Sequence, residues 1–81
     1  MRFHFSDRFV ADYAAAPLLI QRAFDRKAVF LATNIRHPSL RAKKYNEAEG
    51  IWQARVTDNW RFYFQIKNDV YYLLSLIPHP K

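Results

Sequence analysis

The stretch Ile51-Trp52-Gln53-Ala54-Arg55-Val56-Thr57-Asp58-Asn59-Trp60-Arg61-Phe62-Tyr63-Phe64-Gln65-Ile66 decides the fold class. Its side chains change character at every second position, the period of a strand with one face in a core. Trp52, Ala54 and Val56 point one way, and Ile51, Gln53 and Arg55 the other. Trp60, Phe62, Phe64 and Ile66 then alternate with Arg61, Tyr63 and Gln65. Thr57-Asp58-Asn59 supplies turn residues between the two runs, which predicts an antiparallel hairpin. Asn68-Asp69 predicts the next tight turn, because both residues tolerate left-handed geometry. Val70 to Ile77 is apolar on both faces and reads as an interior strand, stopped by Pro78 and Pro80.

Upstream the period becomes helical. Phe3 and Phe5 alternate with Arg2 and His4, a short strand with one buried face. Ser6 reads as an N-cap, with Asp7 near the positive end of the helix dipole. Phe9, Val10 and Tyr13 share a face of this first helix. Pro17 separates it from a second helix over Leu18 to about Asn34. There Ile20, Ala23, Phe24, Ala28 and Leu31 form an apolar stripe, widened by Val29 and Phe30, and Arg22, Asp25, Arg26 and Lys27 mark the wet side. Residues 36–49 read as irregular chain, with His37-Pro38-Ser39 blocking the helix. Gly50, the sole glycine, predicts a special backbone angle or a close approach. The predicted order is β-α-α-β-β-β: an α+β domain over residues 1–81, its helical hairpin on one face of a four-stranded, mainly antiparallel sheet.

The chain has 81 residues, 13 Lys plus Arg against 7 Asp plus Glu, and a formal charge of +6. Hydrophobic residues make up 51% and aromatics 17%, which excludes a disordered basic tail. With no cysteine there is no disulfide framework, iron–sulfur cluster or cysteine-based zinc site. One glycine cannot build a glycine-rich phosphate loop. No apolar run is long enough to span a membrane, and the N-terminus lacks the apolar segment of a signal peptide. A cytoplasmic protein with a polyanionic partner is the expectation. The densest basic run, Arg36 to Lys44, is a solvated loop or a phosphate-contacting one; composition does not choose.

The aromatic stripe of the third strand faces the helices, which leaves Gln53, Arg55, Arg61 and Tyr63 on the opposite face. Arg55 and Arg61 lie on neighbouring strands, and two like charges that close disfavour folding unless an anion, such as a phosphate, joins them. The alternative is an ordinary polar outer face. Tyr63 is a base-stacking residue or an exposed β-former. His79, between Pro78 and Pro80, is a candidate for proton exchange near neutral pH, or plain surface. His4 and His37 are weaker candidates. No second ligand stands at fixed spacing, so no metal site is expected.

These residues resemble the RelE/ParE family of bacterial toxins from type II toxin–antitoxin systems. The resemblance runs through His37-Pro38-Ser39-Leu40 to Lys43 and Lys44, then Gly50-Ile51-Trp52-Gln53-Ala54-Arg55-Val56, Trp60-Arg61-Phe62-Tyr63-Phe64, and Leu76-Ile77-Pro78-His79-Pro80-Lys81. It implies that the first strand lies beside the last. It also implies one of two activities. RelE-like members cut mRNA in the ribosomal decoding site: the 2′-hydroxyl attacks the adjacent phosphorus and the 5′-oxygen leaves. ParE-like members poison DNA gyrase and lack the catalytic set; an inactive homologue that only binds an antitoxin is a third alternative. For cleavage the resemblance assigns Arg61 as phosphate stabiliser, Arg55 as its partner and His79 as acid or base, with Glu47 or Glu49 as a weaker carboxylate match. Gln53, Tyr63, Arg41, Lys43, Lys44 and Lys81 are assigned to RNA and ribosome binding. Gln53 stands where some members have lysine, and the chain stops at Lys81, before the tail and tyrosine of others. No dissociable cofactor is implied. The implied partners are a cognate antitoxin, and mRNA and ribosomal RNA on the 70S ribosome, with the free protein monomeric and the antitoxin complex a hetero-oligomer.

Overall fold

Alternation produces the hairpin. In the computed structural model, which describes residues 2–79, β3 (Ile51–Thr57) pairs antiparallel with β4 (Trp60–Lys67), placing Ala54 opposite Phe62 and Trp52 opposite Phe64. The second turn is equally local in origin: Asn68 and Asp69 take φ of 50° and 64°, and β5 (Val70–Pro78) returns antiparallel along β4. β1 (Arg2–Phe5) lies parallel to β5, from Arg2 opposite Val70 to Phe5 opposite Leu73. The first half of β5 is therefore an interior strand, as its apolar run predicts.

The sheet has five strands, in the order β1-β5-β4-β3-β2, where the sequence predicts four. The additional strand is β2 (Lys43–Asn46), paired antiparallel with β3 inside the stretch read as irregular. It is four residues long, carries Lys-Lys-Tyr-Asn, and buries no side chain, so no apolar alternation betrays it. Main-chain pairing holds it, and its lysines suit an exposed edge.

Helix α1 (Asp7–Ala15) begins at Ser6, whose hydroxyl accepts the Phe9 N–H at 3.0 Å. The same hydroxyl donates to the Leu74 carbonyl at 3.1 Å, and the Asp12 carboxylate accepts the Leu76 N–H at 3.0 Å. α1 therefore satisfies the edge of β5 that β1 is too short to cover. Helix α2 (Leu18–Thr33) follows Pro17, and a single 3-10 turn spans Pro38–Leu40. Gln21 donates to the Tyr13 carbonyl at 2.8 Å across the helix junction.

The core lies between the helices and one sheet face. Phe24 of α2 meets Phe62 edge-on, 5.1 Å between ring centroids, and Phe9 of α1 at 5.0 Å. Ile20, Ala23, Phe24 and Leu31 are buried as the helical stripe predicts. Val10 and Val29 are exposed instead: Val10 lies about 100° around α1 from the buried Phe9, and Val29 sits between the half-buried Ala28 and Phe30. Ile66 is 38% exposed, beyond the reach of the helices. Gly50 takes φ of 67° with open space around it, so the special angle and not close approach explains it. No helix is long and apolar enough to cross a membrane among the described residues.

Candidate functional site

The hairpin brings Arg55 and Arg61 into direct cross-strand register on the face that the helices leave free. Their repulsion is partly met from within. Arg55 Nη1 pairs with Asp58 Oδ1 at 3.2 Å, in the turn between the two strands. Arg61 Nη1 donates to the carbonyls of Thr57, Trp60 and Asp58, at 2.6, 3.0 and 3.2 Å. One edge of each guanidinium is thus anchored on the turn, which fixes the direction of the other. Arg55 Nε is buried and makes no hydrogen bond among the described residues, a donor with its capacity unspent.

Around this pair lies a cleft of about 280 Å³ walled by Arg41, Lys43, Gln53, Arg55, Arg61 and His79. Each wall has a local cause. Lys43 stands opposite Gln53, so it shares the open face. Arg41 ends the 3-10 turn in a left-handed conformation, φ 46° and ψ 42°. That turn is itself ordered by His37, whose Nδ1 lies 2.9 Å from Ser39 Oγ and accepts the Ser39 N–H at 3.2 Å, while its ring stacks on Phe30 at 3.8 Å. His37 is therefore spent on the loop. The His79 N–H donates to the Asn59 carbonyl at 2.6 Å, which ties the end of β5 to the turn carrying the arginine anchors. Gln53 is buried although it sits on the open face; its amide donates to the Tyr63 hydroxyl at 2.8 Å.

Four cations and no carboxylate wall the cleft among the described residues. Two guanidinium groups side by side can take two phosphate oxygens each, and the imidazole next to them can exchange a proton. The field extends beyond the cleft: burial first, then the charges of Arg26 and Arg55, hold the Lys27 ammonium below the usual lysine pKa. Lys27 Nζ donates to the Ser39 carbonyl at 3.1 Å.

The residues assigned by sequence divide as follows. Arg41, Lys43, Gln53, Arg55, Arg61 and His79 come together. Tyr63 adjoins them through Gln53. Lys44 does not: strand alternation turns it to the other face, where Nζ lies 5.2 Å from the centre of the Trp52 ring. Glu47 and Glu49 sit in the β2–β3 turn, Glu49 accepting Gln65 Nε2 through its backbone carbonyl, and neither walls the cleft. Lys81 lies outside the described residues. Sequence reasoning missed Tyr45, which meets Tyr63 edge-on at 4.9 Å; with β2 unread, nothing in the sequence assigned it a face.

No protein-family model matches the chain, and no curated protein matches it significantly. Solved structures match over nearly the full length. The YoeB/ParE toxin from Agrobacterium tumefaciens is 11% identical with a TM-score of 0.80, covering 99% of this chain and 100% of that one. A chain of the YoeB–YefM complex from Staphylococcus aureus is 13% identical with a TM-score of 0.79, covering 99% and 98%. A chain of the RelB–RelE antitoxin–toxin complex from Methanococcus jannaschii is 17% identical with a TM-score of 0.74, covering 91% and 87%. This chain shares the α+β fold of those RelE-type toxins.

Proposed function

We propose that this protein is the toxin of a type II toxin–antitoxin pair and acts as a ribosome-dependent mRNA endoribonuclease in the cytoplasm. The observation that carries the reading is the cleft that joins Arg41, Lys43, Arg55, Arg61 and His79 on the helix-free face of a RelE-type sheet. Cleavage of a phosphodiester by its own 2′-hydroxyl needs three things: a base for that hydroxyl, positive charge on the developing phosphorane, and an acid for the departing 5′-oxygen. Arg61 and Arg55, anchored by the turn, present fixed donors to the phosphorane oxygens. His79, which lines the cleft, takes the proton from the 2′-hydroxyl, and the departing 5′-oxygen takes its proton from water. The attack forms the bond from the 2′-oxygen to phosphorus and breaks the bond to the 5′-oxygen, leaving a 2′,3′-cyclic phosphate. Arg41, Lys43 and the Gln53–Tyr63 pair hold the flanking strand.

The partner proposed for the resting state is an antitoxin protein that covers this face or the helices. The complexes with RelB and YefM among the structural neighbours support that choice.

Ribosomes programmed with a defined mRNA test the reading. Wild type should cut within the decoding-site codon, and Arg61→Ala should cut about 10²–10³-fold more slowly, the loss seen when one oxyanion donor is removed. Arg61→Lys is the companion that keeps the charge and loses the fork. No cleavage by wild type, together with an Arg61→Ala variant as toxic in cells as wild type, would sink the proposal. A DNA-damage response with mRNA intact would assign gyrase poisoning instead.

A further inference from the structure

Tyr45 stands 61% exposed on a four-residue edge strand, where the core makes no demand for an aromatic ring. Its ring lies edge-on to Tyr63, 4.9 Å between centroids at an interplanar angle of 68°. Together they wall a hollow of about 410 Å³, floored by Ile51, Leu74 and Ile77 and rimmed by Arg8. The floor is built by an irregularity. Register along β5 passes from Leu73 opposite Phe64 to Ser75 opposite Tyr63, so one extra residue is inserted there. Leu74 and Ser75 both line the hollow as a result, with α1 hydrogen-bonded along the same edge.

This hollow and the basic cleft share a wall. Gln53 lines the cleft, Tyr63 lines the hollow, and the two are opposite each other across the strands with the amide on the hydroxyl at 2.8 Å. A cationic cleft beside an aromatic, apolar hollow matches the two halves of a nucleotide: an anionic phosphate and a flat π-face. We infer that the Tyr45–Tyr63 corner receives the base of a nucleotide whose phosphate lies against Arg55 and Arg61, with Tyr45 as the stacking residue. The inference rests on the ribonuclease reading and adds to it a residue that the basic cleft alone does not include. Stacking on tyrosine tolerates any base, so the corner grips the strand without selecting a codon.

The test compares wild type, Tyr45→Leu and Tyr45→Phe on ribosomes programmed with one mRNA. Tyr45→Leu should cut about 5- to 150-fold more slowly, the range that loss of one stacked base carries. Tyr45→Phe should cut like wild type, because the ring and not its hydroxyl does the stacking. A binding readout separates stacking from general damage. An oligonucleotide with 2-aminopurine beside a cleavage-blocking 2′-deoxy position should be quenched by wild type and Tyr45→Phe. Tyr45→Leu should bind it through the phosphate contacts without quenching it. If wild type cuts no mRNA, the ribonuclease reading and this corner fall together. If wild type cuts and Tyr45→Leu cuts equally fast, or quenches equally, the corner alone is overturned.

Discussion

Arg41 occupies the left-handed region at φ 46° and ψ 42°, a conformation that costs a non-glycine residue about 1–2 kcal/mol. Its side chain is exposed and packs in no core, so local packing gives no reason to keep an arginine there. Its position on the wall of the basic cleft does. Arg41→Gly should therefore separate stability from function. The melting temperature should hold or rise, by up to about 1 kcal/mol of stability, since glycine's greater freedom in the unfolded chain offsets part of the relief. Cleavage of mRNA on ribosomes should drop about tenfold, the share of one phosphate-contacting cation of roughly 1.4 kcal/mol. A melting temperature several degrees lower would show that the arginine holds the loop. The shared face of Arg55 and Arg61 is legible from strand parity, while His79 enters by resemblance. What parity could not show is the anchoring of Arg61 on three turn carbonyls, or the strain at Arg41, because both arise from backbone paths set by the rest of the fold.

At the scale of elements, β3 and β4 are readable because most of one face is buried and carries a hydrophobic period, and β5 because its run is apolar throughout. β2 is not, because it buries neither face and so carries no hydrophobic period. The cost of missing it was Tyr45. The bulge in β5 was equally hidden: an apolar run on both faces looks the same with one inserted residue as without it. α1 shows a different kind of dependence. Its Asp12 side chain accepts the Leu76 N–H at a strand edge that would otherwise have no partner on that side. Asp12→Ala should leave that partly buried N–H unsatisfied and cost about 1–3 kcal/mol. For a domain of this size that is a fall of roughly 4–8 °C per kcal/mol in melting temperature. Asp7→Ala, at the exposed first turn of the same helix, is the control and should cost at most about 1 kcal/mol. Equal losses in a thermal melt would mean that the Leu76 N–H does not depend on Asp12.

For the molecule as a whole, the formal charge of +6 is less informative than its placement. Acids and cations mix on the helices, while Arg41, Lys43, Arg55 and Arg61 wall one cleft without a carboxylate among the described residues. Salt dependence reports contacting charges and not net charge, because each phosphate neutralised releases condensed counterions. For single-stranded RNA the slope of log K against log salt is about −0.7 per contact, so four cleft cations give a slope of about −3. If all 13 Lys and Arg contributed, it would approach about −9. Neighbouring lysines on β2 make the sharpest comparison, since they differ in face and in little else. Lys43 stands opposite Gln53 at the cleft, and Lys44 lies over the Trp52 ring on the other side. Titrations of a labelled single-stranded oligonucleotide over a range of salt should show Lys43→Ala reducing the slope by about 0.7. Lys44→Ala should leave it unchanged. Equal slopes for the two variants would place the RNA elsewhere than across the helix-free face, whatever the chemistry of the cleft.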